Sequence, residues 1–221
     1  MAKRSSSAPC RPAAAAPVSS VAPRARIVAV ARRHFFQVGF ARCTMDCLAG
    51  ELGMSKKTLY AHFPNKDALV AAVLDDKVAG FRAGIQAVVD ATGLAFPERA
   101  RRVVGHVAGQ MGEIAPVFLR DLERTMPDLF AHIEAIRREV LPKVWSRMLT
   151  EGIERGHVRR DIEVPFICEM VLLSVEGLLR PAALERFALA PRQVIDRVLS
   201  ILFAGILTSA GRKAYENTVV H

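Results

Sequence analysis

Apolar residues recur every three or four positions through the first third of the chain, which is the period of an amphipathic helix. This pattern predicts one helix from Arg24 to a stop at Gly39, and a second between an N-cap at Thr44 and a stop at Gly53. A third, shorter helix follows Ser55, whose hydroxyl suits an N-cap. The chain is therefore expected to open with three helices joined by short connections.

The helical period continues beyond this region. Pro64 ends the third helix, and Asn65 is placed to cap a fourth whose apolar stripe reaches Phe81. Later prolines mark further helix starts, and no sustained alternation of apolar and polar residues indicates a strand. The sequence predicts an all-α fold.

The helices expected near residues 165–180 and 191–209 are apolar on more than one face. A helix that is apolar all round needs cover on two sides. One side suits packing on its own domain, and we expect the other to meet a second subunit, with Leu202 and Ile206 in the contact. A position at the centre of a monomeric core is the alternative explanation of the same pattern.

The excess positive charge of the chain is concentrated in its first third. The 221 residues carry a formal net charge of +9, and residues 1–66 hold eleven basic residues against the two acids Asp46 and Glu51. The basic and acidic residues that follow cancel. A basic head on a neutral, apolar body predicts a polyanionic partner, with nucleic acid as the first candidate and an anionic membrane surface as the second.

Residues 1–22 contain no acid and almost no bulky apolar side chain, so we expect a disordered basic tail. The longest uncharged stretch of the C-terminal half runs from Val198 to Gly211, which is shorter than the ~20 residues that span a bilayer. The bulky apolar residues of the basic head are explained by packing between its helices. No membrane partner is expected.

Two of the predicted helices have the spacing of a helix-turn-helix at about residues 44–63. Gly53 and Met54 form the turn, and the small Ala49 one helical turn earlier leaves room for close crossing. Leu59 and Phe63 point inward on the second helix. Groups suited to DNA remain on its outer face and at the helix starts, namely Thr44, Ser55, Lys56, Lys57, Thr58, Tyr60 and His62.

This region resembles the DNA-binding domain of the tetracycline-repressor (TetR) family of bacterial transcriptional regulators over about residues 24–70. The matching positions keep a fixed spacing without a gap and are Gly39-Phe40, Thr44-Met45, Leu48-Ala49, Gly53, Ser55, Thr58-Leu59-Tyr60, the run from His62 to Asp67, and Leu69. The resemblance places Lys56 and Lys57 at the base-reading start of the recognition helix. It implies backbone contacts to DNA from Thr44, Tyr60, His62 and Lys66.

The resemblance also implies an overall architecture and a mode of regulation. It implies a homodimer with an N-terminal three-helix helix-turn-helix domain, residues 23–83, followed by a larger helical ligand-binding and dimerisation domain, residues 84–221. Such proteins are usually repressors of operator DNA that a small molecule releases. Lys57 departs from the small residue that many members carry, so the operator sequence does not follow from the resemblance.

A small apolar effector is expected, but its binding residues stay unassigned. A flexible apolar pocket suits methionine and aromatic walls. The same side chains equally well fill a core, and they are Met111, Phe118, Met126, Phe130, Trp145 and Met148.

Enzymes are the main alternative class, and their motifs are missing from the sequence. No Gly-x-Ser-x-Gly elbow, phosphate-binding loop or paired-histidine metal helix occurs, and His34, His106 and His132 lie singly in helices. Cys43 and Cys47 could sense redox state or simply pack in a small core. The four scattered cysteines favour a reducing cytoplasm. The prediction is a regulator without catalytic residues, metal or cofactor.

Overall fold

The computed structural model describes residues 22–91 and 93–217, and it is helical throughout. The tail expected to be disordered, residues 1–22, lies outside the described residues except for Ala22. Within these ranges there are eleven helices and no β-strand, and Val158 and Leu207 form an isolated antiparallel bridge. The predicted all-α fold is confirmed.

The first four helices begin, and the first three end, within one residue of their predicted limits. They are α1 (Pro23–Val38), α2 (Met45–Leu52), α3 (Lys56–His62) and α4 (Lys66–Asp90). The side chains of Thr44, Ser55 and Asn65 each accept a hydrogen bond from the backbone N–H three residues later, at 2.7–3.1 Å. Each bond satisfies a donor that has no partner inside its own helix.

Seven further helices follow in the described part of the chain. They are α5 (Phe96–Gly112), α6 (Pro116–Thr125), α7 (Pro127–Glu154), α8 (Val164–Leu178), α9 (Pro181–Phe187), α10 (Pro191–Ile206) and α11 (Ser209–Asn217). Each helix from α5 to α10 has a proline in its first turn, where the missing N–H is not needed. Among the described helices, none combines the length and apolar character that a membrane span requires.

Two clusters of buried apolar side chains hold the helices together. The C-terminal cluster joins the far part of α4 to α5, α7, α8 and α10. The N-terminal cluster is built from α1 to α4 and also includes Ile114, Phe118 and Leu122. The Phe118 ring packs edge-on against Phe36 and Phe40, with centroids 4.8 and 5.7 Å apart. Helix α6 thus belongs to the core of the N-terminal helices, although it lies beyond residue 83.

Helices α8 and α10 carry apolar side chains on both the inner and the outer surface of the chain. Leu202 and Ile206 are each 3% exposed within the C-terminal cluster, so the expectation that they face a second subunit is wrong. Neighbouring residues on a helix point about 100° apart, and Ile201 is therefore outside, at 75% exposure. Three further large apolar side chains are exposed on α8, namely Phe166, Met170 and Leu173.

Candidate nucleic-acid interface and internal cavity

Helices α2 and α3 form a helix-turn-helix whose second helix has one buried and one exposed side. Gly53 ends α2 in the left-handed conformation, with φ 64° and ψ 31°, which glycine adopts without strain. The Met54 N–H donates to the Ala49 carbonyl oxygen at 3.0 Å. Leu59 and Phe63 are buried and fix α3 on the core. The outer surface of α3 is left for a partner.

The predicted DNA-contacting side chains at the start of α3 lie together on this exposed surface. Ser55, Lys56, Lys57 and Thr58 are all exposed. The Ser55 and Thr58 hydroxyls are 2.8 Å apart, and Lys56 Nζ donates to Asp46 Oδ2 at 2.5 Å. With 65% and 56% of its side chains exposed, this ion pair contributes about 0–1 kcal/mol. Lys56 can therefore exchange Asp46 for another acceptor with little loss.

The other four predicted residues surround this group. Thr44 is exposed at the N-cap of α2, Tyr60 is exposed on α3, and His62 is half-buried in its last turn. Lys66 is engaged elsewhere, because its Nζ donates to three backbone carbonyl oxygens of the connection between α1 and α2, at 2.9–3.5 Å. The lysine that was expected to contact DNA thus holds that connection in place.

Three arginines beside this surface were not singled out from the sequence. The Arg24 guanidinium lies over the Phe63 ring, 4.9 Å from its centroid. Arg26 Nη2 donates to the Leu52 carbonyl oxygen at 2.9 Å, and Arg42 is exposed in the connection between α1 and α2. The concentration of positive charge in the first third indicated that basic residues lie near the DNA-binding surface. Helical spacing alone does not identify which arginines pack against the helix-turn-helix.

A partly enclosed cavity of about 120 Å³ lies at the junction of the two apolar clusters. Its wall is mainly apolar and is built by side chains from α4, α5, α6, α7, α8 and α10. The sequence left six methionine and aromatic side chains either in a pocket wall or in a core. Four of them line this cavity, namely Met111, Phe118, Phe130 and Trp145. The other two are core residues, because Met148 belongs to the C-terminal cluster and Met126 packs on the N-terminal one.

Two polar side chains from α4 and α5 interrupt the apolar wall, namely Lys77 and Gln110. Lys77 is 6% exposed, and burial lowers the pKa of its ammonium group although Glu113 faces it. Gln110 Oε1 is buried and has no hydrogen-bond partner within residues 22–91 and 93–217. Burial removes the hydration of both groups, and hydrogen bonds within the described residues do not replace it.

Two more charged side chains reach the cavity from α7, namely Glu134 and Arg137. Burial lowers the pKa of the Arg137 guanidinium, and its acidic neighbours Glu134 and Glu176 oppose that shift only in part. Those carboxylates form ion pairs with other arginines, Glu134 with Arg180 at 3.4 Å and Glu176 with Arg138 at 2.5 Å. Arg137 is therefore a cation at an apolar wall whose two acidic neighbours each form an ion pair with another arginine, although the Glu176 Oε1 atom has no hydrogen-bond partner among the described residues.

Polar contacts connect the cavity wall to the N-terminal helices. Glu113, at the end of α5, lies 3.1 Å from Lys77 of α4 and 2.6 Å from Arg32 of α1. Asp121 of α6 accepts a hydrogen bond from the Ala41 N–H at 2.9 Å. These contacts therefore link the cavity-lining helices α4 and α6 to α1 and to the connection that precedes α2.

Removing the Asp121 carboxylate is expected to loosen the attachment of α6. Asp121 is 5% exposed, and D121A removes the part-buried hydrogen bond that its carboxylate accepts from the Ala41 N–H, which lowers the free energy of unfolding by about 1–3 kcal/mol. For a chain of this size each kcal/mol lowers Tm by roughly 2–4 °C. Thermal melting followed by circular dichroism measures the shift. The control is D75A, an exposed aspartate of α4, and a D121A protein that melts like the control contradicts the assigned role.

The described residues contain no cluster of three or more histidine, cysteine or acidic side chains suited to a metal ion. His34 contacts the Glu51 carboxylate between α1 and α2, and His106 Nε2 is 3.1 Å from the Phe81 carbonyl oxygen. Both histidines have structural partners, which fits their interpretation as packing residues.

Comparison with known proteins agrees with this geometry. Residues 27–73 match the family described as bacterial regulatory proteins, tetR family. The chain is 26% identical to the uncharacterized HTH-type transcriptional regulator YvaF of Bacillus subtilis, over 82% of this chain and 94% of that protein. It is also 26% identical to the HTH-type transcriptional repressor KstR2 of Mycolicibacterium smegmatis, over 89% of this chain and 97% of that protein.

A solved structure shares the fold beyond the helix-turn-helix. A TetR-family transcriptional regulator from Marinobacter aquaeolei superposes with a TM-score of 0.67 at 19% identity, over 90% of this chain and 97% of that one. The matched family segment spans α1 to α3 and the start of α4, where the exposed basic surface lies. These proteins are regulators rather than enzymes. Residues 27–73 therefore match the tetR family of bacterial regulatory proteins, and most of the chain is similar to HTH-type transcriptional regulators, which supports a DNA-binding transcriptional regulator.

Proposed function

We propose that the protein is a homodimeric repressor that binds operator DNA through α3 and is released when a small apolar molecule occupies the cavity. The observation that carries the proposal is the exposed, basic outer surface of α3 within a helix-turn-helix that matches the tetR family. A recognition helix of this kind lies in the major groove with its N-terminal residues at the base edges.

In the proposed complex, the two lysines at the start of α3 read bases and their neighbours hold phosphates. Lys56 and Lys57 have the reach and charge to donate to O6 and N7 of guanine. Phosphate contacts fix the register of the protein on the duplex. We assign these contacts to the hydroxyl, phenol and imidazole groups around α3, namely Thr44, Ser55, Thr58, Tyr60 and His62, while Lys66 holds the preceding connection in place.

A second copy of the chain is the proposed cover for the outer surfaces of α8 and α10. Phe166, Met170, Leu173 and Ile201 are large apolar side chains exposed to water on these helices. Burial of such area is favourable by about 25 cal/mol per Å². A two-fold dimer presents two α3 helices to one DNA molecule, each to its own half-site.

The cavity is well placed to couple an effector to DNA binding. We assign residues 23–83 to DNA binding and 84–221 to effector binding and dimerisation, with α4 and α6 connecting the two. Helix α4 starts beside α3 and lines the cavity with Val78 and Phe81, while α6 lines it with Phe118. An effector that favours a different packing of these walls changes the separation of the two α3 helices. By linkage, effector and DNA then weaken each other's binding equally.

Footprinting of DNA selected by the full-length protein tests this function. We expect protection of a near-palindromic site whose half-sites lie about 10–10.5 base pairs apart, or a multiple of that distance. Affinity should fall steeply with salt, because phosphate contacts release counterions. Protection of a single half-site without symmetry, or binding that does not respond to salt, contradicts the proposal.

A further inference from the structure

The polar side chains in the cavity wall indicate the chemical class of the effector. We infer that the effector is a compact apolar molecule that carries one carboxylate, and that Arg137 and Lys77 bind this carboxylate inside the cavity. The inference rests on the proposed effector function of the cavity and adds the identity of the ligand's charged group.

The charges of the wall leave room for one anion. Lys77, Arg137 and Glu134 are the charged side chains that line the cavity in the described part of the chain, so its wall has one positive charge in excess. Glu134 is paired with Arg180, and Glu176, the other acidic neighbour of Arg137, is paired with Arg138. A monocarboxylate balances this single excess charge, whereas a phosphate monoester carries about two negative charges.

Lys77 has donors available for the same group. Its Nζ carries three N–H donors, and it meets Glu113 at 3.1 Å in an ion pair that lacks hydrogen-bond geometry. The Glu113 carboxylate is shared with Arg32 at 2.6 Å. The Nζ otherwise lies over the Phe36 ring, 5.5 Å from its centroid. A carboxylate in the cavity therefore gives this ammonium a hydrogen-bond acceptor that the chain itself does not supply.

The Gln110 amide and the size of the cavity restrict the chemical class of the ligand further. The Gln110 Oε1 lacks a hydrogen-bond partner among the described residues, and a turn of this amide presents its NH₂ to a carboxylate instead. A cavity of about 120 Å³ is well below the roughly 300–1,000 Å³ of drug-sized pockets. Aromatic acids and short to medium aliphatic acids suit this space better than nucleotides or long-chain esters.

Binding of an acid here also bears on the attachment of α4 to α1. A ligand carboxylate competes with Glu113 for Lys77, and Glu113 is the acceptor that Lys77 shares with Arg32. Weakening the contact between Lys77 and Glu113 removes one of the polar contacts that connect α4, through Glu113, to α1. The charged group of the ligand and the release of DNA are thus linked through a single lysine.

The only tryptophan of the chain provides a direct probe, because Trp145 lines the cavity. The fluorescence of the full-length protein is titrated with benzoate, phenylacetate, hexanoate and octanoate, and each acid is matched with its neutral primary amide. We expect at least one acid to bind about tenfold to a hundredfold more tightly than its amide, the equivalent of a hydrogen bond to a charged group. Equal binding of every acid and its amide, or no binding of any acid, overturns the inference.

Substitutions in α7 and α4 test whether Arg137 and Lys77 cause the preference for acids over amides. R137Q and K77Q should each reduce the preference for acid over amide by about tenfold. The matched control is R147Q, which changes an exposed arginine of the same helix α7 and should keep the full preference. A preference that persists in both R137Q and K77Q overturns the assignment, and either variant alone is sufficient for the test if the other fails to fold.

Operator release is measured separately, by fluorescence anisotropy of labelled DNA. Acid binding at Trp145 without release of DNA supports the ligand class and contradicts the proposed repressor switch. Release of DNA by neutral apolar compounds, with no preference for acids, supports the switch and overturns the inference.

Discussion

Replacing Lys56 and Lys57 together with alanine is expected to abolish operator selection while leaving the fold intact. Both side chains are exposed at the start of α3, so their loss removes no core contact. A good base contact contributes about 1–3 kcal/mol, and two such contacts correspond to a loss of affinity of roughly 30-fold to 20,000-fold. Fluorescence anisotropy with the footprinted operator measures the affinity, and circular dichroism checks the helical content.

The matched control for this variant is K143A/K213A, which removes the same charge from exposed positions on α7 and α11. It should bind the operator like the parent, apart from a small change in long-range attraction. If K56A/K57A footprints the same DNA with the affinity of this control, α3 does not read the operator and the proposed interface is wrong.

An aspartate at Ile201 is expected to convert the proposed dimer to monomers and to remove most of the affinity for a two-half-site operator. Because Ile201 is outside its own core, the charge is solvated in a monomer and the fold should survive. In a dry interface the same charge is unpaired, at a cost of several kcal/mol. A monomer also loses the gain that comes from binding two linked half-sites. Sedimentation velocity at micromolar concentration measures the association.

The control for the interface is F187D, because Phe187 is an exposed apolar residue on α9. This variant should remain a dimer with the operator affinity of the parent. A wild-type protein that sediments as a monomer at micromolar concentration, or an I201D variant that remains dimeric, rules out α8 and α10 as the dimer surface.

Structural features that depend on residues close together in the chain could be predicted from the sequence. Thr44, Ser55 and Asn65 each accept a hydrogen bond from a backbone N–H only three residues away, so cap and helix start are readable as a short pattern. Gly53 similarly marks the turn of the helix-turn-helix. The positions of the candidate DNA-contacting side chains followed from these local rules.

Features that depend on distant parts of the chain were not predictable in this way. The hydrogen bond from Ala41 to Asp121 joins residues 80 positions apart, and no local pattern marks it. In α10 nearly every side of the helix is apolar, so spacing did not reveal that Leu202 faces inward and Ile201 outward. Whether a side chain lines the cavity, as Met111 does, or fills the core, as Met148 does, depends on how the helices pack.

The sharing of one apolar cluster between α6 and the N-terminal helices bears on the construction of chimeric regulators. A graft that moves residues 22–90 onto a foreign body separates Phe36 and Phe40 from Phe118, and Ala41 from Asp121. Such a graft has to bring the inner face of α6 with it, as a second and discontinuous piece. Exchanging only the exposed side chains of α3 avoids this difficulty, since that surface can change its sequence without altering the joint between the two parts of the molecule.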